Sequence, residues 1–86
     1  MKKTRKEFVV VSESKFFILE HTFKSLKKAE RYWEKECKEF LFKVALGNKF
    51  IEIDNFTENN FEIRYRDEDN DNWKIEHIWV EERINN

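Results

Sequence analysis

Only one stretch of this chain spaces its apolar residues as a helix does, and that limits the fold more than any other feature. In SLKKAERYWEKECKEFLFKVALGN, residues Leu26, Ala29, Trp33, Cys37, Phe40, Leu41 and Val44 recur three and four apart, which lines them along one side of a 3.6-residue repeat. The spacing predicts a single helix of about 21 residues, roughly 32 Å long. Ser25 stands at the N-cap position, where a hydroxyl can accept from a free backbone N–H. Gly47 stands where a left-handed residue would close the helix. Glu34 with Lys38 and Glu39 with Lys43 are i,i+4 pairs in the favourable order on the wet face.

The rest reads as strand. Phe8-Val-Val-Val11 and Phe16-Phe-Ile-Leu19 flank the polar Ser12–Lys15, the pattern of a β-hairpin. Three further strands are expected at Lys49–Phe56, Phe61–Asp67 and Trp73–Glu82. Apolar side chains collect on one face if Tyr65 meets Ile75, Ile63 meets His77 and Phe61 meets Trp79, because a one-residue slip would turn every side chain over. On the preceding pair, Ile53 then meets Ile63 and Ile51 meets Tyr65. The opposite face acquires a row Glu52–Arg64–Glu76, with Asp54 against Glu62 as a like-charge contact that argues mildly against it. The fold class is therefore α+β in the order β-β-α-β-β-β, an antiparallel sheet packed on one long helix. With 86 residues, a single domain is expected over 1–86, led by a mobile basic tail at 1–6.

Chemistry is sparse. Asp67, Asp69 and Asp71 alternate as at the start of a calcium loop, but that loop needs Gly at its sixth position and Glu at its twelfth. Here those positions hold Asn72 and Ile78, so Glu68–Asn72 reads as a turn. His21, His77 and Cys37 lack zinc-site spacing; Cys37 reads as a small core residue and His77 as a histidine at the core edge. A single glycine rules out a phosphate loop. The expectation is a non-enzymatic protein with no metal or other cofactor. One cysteine precludes an intrachain disulfide and points to a reducing compartment, and no apolar run approaches the roughly 20 residues of a membrane span. A cytoplasmic protein without membrane association is expected.

Charge is divided unevenly. Residues 1–49 carry 13 Lys/Arg against 7 Glu, whereas residues 50–86 carry 4 against 11 Asp/Glu. On the helix, Lys27, Arg31, Lys35 and Lys38 form a stripe able to neutralise phosphates, interleaved with glutamates. In the second half, Glu52, Asp54, Glu62, Asp67, Glu68, Asp69, Asp71 and Glu76 could present a nucleic-acid-like acidic face to a basic cleft. Abundant Lys, Glu, Asn, Ile and Phe suit an AT-rich genome, such as that of a low-GC bacterium or its phages. A phage protein would then act in the host cytoplasm.

Apolar excess weighs most. If Val9, Val11, Phe17 and Leu19 point to the helix, then Phe8, Val10, Phe16 and Ile18 face out, and one helix cannot cover both faces of a sheet. The last helical turns, with Phe42 and Leu46, are apolar nearly all round. The helix also outruns strands of six or seven residues, about 20–23 Å. Bare surface of this kind marks an interaction site. The function expected is a small protein-binding module that covers another protein's surface, a phage or mobile-element inhibitor of a host protein being one form of it. Self-association as a homodimer through Phe8, Val10, Phe16, Ile18, Phe42 and Leu46 is also expected. The alternative is a nucleic-acid-binding accessory protein that uses the basic stripe.

Overall fold

A computed structural model describes residues 5–85. Its elements are β1 (Arg5–Glu13), β2 (Ile18–Phe23), α1 (Leu26–Gly47), β3 (Phe50–Thr57), β4 (Asn60–Arg66) and β5 (Lys74–Asn85). The fold is α+β as expected: one five-stranded antiparallel sheet in the order β2-β1-β5-β4-β3, with α1 against one face. Residues 1–4 of the expected tail lie outside the described residues. Arg5 and Lys6 belong instead to β1, because β5 is long enough to pair with them, Lys6 lying opposite Ile84.

Helix α1 forms where the apolar spacing placed it, and Ala29, Trp33, Cys37 and Val44 are its buried residues. Its ends differ from expectation. Ser25 occupies the N-cap with no side-chain capping bond, and its carbonyl accepts from Ala29 N–H. Gly47 has no positive φ. Asn48 closes the helix in extended conformation, its N–H and side-chain amide both donating to the Val44 carbonyl. The one left-handed residue described is Asn59, in the β3–β4 turn, a conformation that asparagine tolerates better than most side chains.

Two registers depart from expectation. On β5, Tyr65 pairs with Lys74, Ile63 with Glu76 and Phe61 with Ile78, one residue away from the arrangement that gathered His77 and Trp79 inward. Trp33 from the helix already fills the interior, its indole donating to the Ile78 carbonyl at 2.8 Å. The slimmer Ile78 and Val80 fit beneath it. Trp79 and His77 turn outward, where their polar atoms find Glu81 and Asn60. The slip places Glu76 on the helix side, 7 % exposed.

On the first hairpin the turn comes later than expected, at Ser14–Phe17, with Glu13 opposite Ile18 and Ser12 opposite Leu19. Phe8 and Val10 consequently share the helix face with Leu19, His21 and Phe23. The core comprises Val10, Ala29, Trp33, Cys37, Val44, Phe61, Ile63 and Ile78, with Phe8 packed against it. The assignment of Phe8 and Val10 to an outward, partner-facing surface is thus corrected: Val10 is 1 % exposed and Phe8 only partly accessible. The mismatch in length also reverses, because β5 at 12 residues spans about 40 Å and outruns the helix, about 33 Å for 22 residues.

Candidate functional site

Val9 and Val11, on the sheet face away from the helix, are buried to 1 and 2 % exposure without a second layer of secondary structure. Long side chains close over them. Val9 lies between Thr22 and Glu81, and Val11 between Glu20 and Trp79. Arg83 on β5 reaches across β1 to hold Glu20 on β2 at 2.7 and 3.1 Å, on the face that carries Val9 and Val11. Its Nε donates to Glu81 at 2.9 Å, and the Trp79 indole donates to the same carboxylate at 3.0 Å. An aliphatic stem carrying a charged head can cover apolar surface while its head stays wet. The Arg83 hydrogen bond lowers the Glu20 carboxyl below its ordinary range. Glu81 is lowered by Trp79 first and Arg83 second. This canopy could not be read from the sequence, because its members are brought together only by the β2-β1-β5 register.

Farther along that face a second arginine is also paired within the chain. Between Ile53 and Asn55 the β3–β4 register shifts, which removes Asp54 from its like-charge position opposite Glu62. Asp54 swings onto Arg64, accepting from Nε at 2.8 Å, while Arg64 Nη2 holds Glu52 at 2.6 Å. The expected Glu52–Arg64–Glu76 row is corrected accordingly: its first pair forms and Asp54 takes the place of Glu76. Trp73 lies near the Arg64 and Arg66 guanidiniums, 5.5 and 5.2 Å from its ring centre.

The eight acidic residues therefore do not form one face. Glu52, Asp54 and Glu62 lie on the outer face, the first two on Arg64. Asp67, Glu68, Asp69 and Asp71 lie in the β4–β5 connection, where Asp67 accepts from the Glu68 N–H and Glu68 pairs with Lys49 at 2.9 Å. Glu76 is on the opposite side of the sheet, buried beside Ile63, and burial pushes its carboxyl up to about 7. Among the described residues no group of three or more His, Cys, Asp or Glu is arranged to hold a metal ion. Cys37 is fully buried, and burial raises its thiol to about 12. No described helix is long and apolar enough to cross a membrane.

The basic stripe lies along the exposed side of α1 and is partly neutralised, with Lys38 on Glu34 at 2.8 Å and Lys35 near Glu39 at 3.9 Å. Lys27 and Arg31 are exposed. Farther along α1, Phe42 and Leu46 are 67 and 75 % exposed. They are one helical turn apart, so both project from the same side of the helix.

The most concentrated apolar exposure is at the tip of the first hairpin. The Ser14 N–H donates to the Phe17 carbonyl at 3.0 Å and its hydroxyl to the same oxygen at 3.3 Å. This tight reversal turns the aromatic rings outward. Phe16, Phe17, Ile18 and Leu19 are 85, 57, 56 and 53 % exposed. Among the described residues β2 is an edge strand that pairs with β1 alone, so one side of its backbone carries no partner there. Tyr32 supports it from the helix, its ring 4.8 Å from His21 and 5.2 Å from Phe23. Of the six residues expected to mediate self-association, the fold leaves Phe16 and Ile18 accessible here and Phe42 and Leu46 accessible on α1.

No protein family, curated protein or solved structure was found to match this chain.

Proposed function

We propose that this chain is a small, non-enzymatic protein-binding module whose working surface is the tip and open edge of the β1–β2 hairpin. It would act by covering a partner's surface. The carrying observation is the run Phe16–Leu19, four successive large apolar side chains each more than half exposed beside an unpaired strand edge. Isolated apolar residues on a surface are ordinary, but four in succession around a hairpin tip, on both faces of the ribbon, are the kind of exposure that marks an interface. An open edge adds backbone donors and acceptors that an extended segment can pair with, while neighbouring side chains set selectivity.

The test compares the wild-type chain with a double variant, Phe16→Ser and Ile18→Ser, as baits in cell lysate. Both sites are solvent-facing, so the variant should keep the wild-type circular dichroism spectrum and melt. Wild type is expected to retain a protein that the variant releases. Equal capture by both baits would overturn the reading. So would capture of nucleic acid alone that weakens with salt and disappears on Arg31→Glu with Lys35→Glu, the signature of phosphate contacts by the helix stripe.

A further inference from the structure

We infer that β2 is a detachable cover: it opens from β1 as a unit while the helix and the other four strands stay folded, and the Arg83–Glu20 pair is the latch that limits the opening. The device is independent of whether the hairpin docks a partner.

Burial separates β2 from its neighbours. Ile18 to Thr22 are all exposed and only Phe23 is partly covered, so parting from β1 returns little apolar surface of β2 itself to water. Segments with few buried apolar contacts open at lower free energy than the core. β4 and β5 cannot part so readily, because Phe61, Ile63 and Ile78 are 0, 0 and 2 % exposed. The opposite edge strand is anchored as well. Phe56 on β3 sets its ring edge-on to Trp33 and Phe61, with 5.7 and 4.9 Å between ring centres.

Three things hold β2 in place. The first is the ladder to β1, from Phe8 opposite Phe23 to Glu13 opposite Ile18. The second is Tyr32 on the helix, whose ring lies against His21 and Phe23. The third reaches past β1. Among the described residues Glu20 makes the only side-chain hydrogen bonds from β2, both to the Arg83 guanidinium. A bidentate arginine–carboxylate pair fixes direction as well as distance. Arg83 stands on β5, on the far side of β1, so the pair ties β2 to a strand that it does not touch. Both ends of β2 can give. The Ser14–Phe17 reversal precedes it, and Ser25 follows it without a side-chain capping bond.

Opening would uncover a particular strand. β1 carries Val9, Val10 and Val11 in succession, 1, 1 and 2 % exposed. Val9 lies beside Thr22 and Val11 beside Glu20. With β2 away, β1 becomes the edge of the sheet, rich in β-branched side chains and free of proline, the kind of edge that proteins keep covered.

Amide hydrogen exchange of the full chain, followed residue by residue by NMR, tests the device. In wild type, the β2 amides that bond to β1 are expected to share one level of protection, at least about tenfold below that of the buried amides of α1 and β5. Glu20→Gln keeps the size of the side chain and removes its charge. It should speed exchange of the β2 group about two- to fivefold and leave α1, β4 and β5 unchanged. Glu34→Gln breaks the ion pair to Lys38 on the helix and should leave β2 unchanged. Each variant is first checked for an unchanged circular dichroism spectrum, and the wild-type pattern decides the cover by itself. β2 amides as protected as those of β5 would overturn the cover, as would rates graded residue by residue from the tip, the mark of simple fraying. Exchange that Glu20→Gln speeds everywhere alike, or nowhere, would overturn the latch.

Discussion

Glu76 is a carboxylate that this fold takes out of water. Its carboxyl stands on the helix face beside Ile63, and desolvation raises it from an ordinary 4.5 to about 7. The folded chain therefore binds that proton more tightly than the unfolded chain does. The associated stability is fully present below about pH 4.5 and is lost as the pH climbs through about 7, where the charged form dominates. The difference is about 3 kcal/mol across that window. Glu76→Gln should remove the slope and be the more stable protein at pH 8, by up to that amount, in urea denaturation measured at pH 5 and pH 8. Equal slopes in the two proteins would show that the carboxylate is solvated in the native state. The same carboxylate is a secondary cause, after burial, of the raised Tyr65 phenol.

At the scale of elements, what could be read in advance was what a single segment decides for itself. The helix followed from the spacing of Leu26 to Val44, and the β3–β4 pairing from alternation at Ile51, Ile53, Ile63 and Tyr65. The faces of β1 and β5 were not legible, because FVVV and KIEHIWV are apolar or amphipathic on both sides and their local pattern permits either parity. The choice depended on Trp33 filling the interior and on Trp79 and His77 finding polar partners outside. The exposed hairpin tip was legible in part: Phe16 and Ile18 stay outside, while Phe8 and Val10 turned in when the reversal moved to Ser14–Phe17. Capping is another matter on which local sequence and structure diverge. The first turn of α1 holds Lys27 and Lys28 and no acid, and the Ser25 hydroxyl makes no capping bond. Ser25→Asp would set a carboxylate at the positive end of the helix, where it can also accept from free backbone N–H groups. It is expected to raise stability by about 0.5–1 kcal/mol in thermal denaturation, with a smaller gain at high salt.

Considered whole, the molecule protects its sheet by two unlike means: a helix on one side and a lattice of long polar side chains on the other. The two together explain how Val9, Val10 and Val11 can all be inaccessible in one copy of the chain, Val10 beneath the helix and its neighbours beneath the lattice. Arg83 spans that face, and the contribution of its stem can be separated from that of its charge. Arg83→Ala should lower the urea midpoint modestly, since it removes a side chain that spans β1 and leaves Glu20 and Glu81 paired only with water. Arg83→Met, which keeps an unbranched apolar stem, should cost less than half as much in the urea midpoint if coverage dominates. The irregularity at Asp54 has an effect that reaches beyond β3. A sheet receptive on both rims can extend indefinitely, each molecule templating the next into a fibre. A rim broken by such a shift offers no continuous ladder to an incoming strand, so any addition at β2 could not be relayed through the sheet to a third molecule.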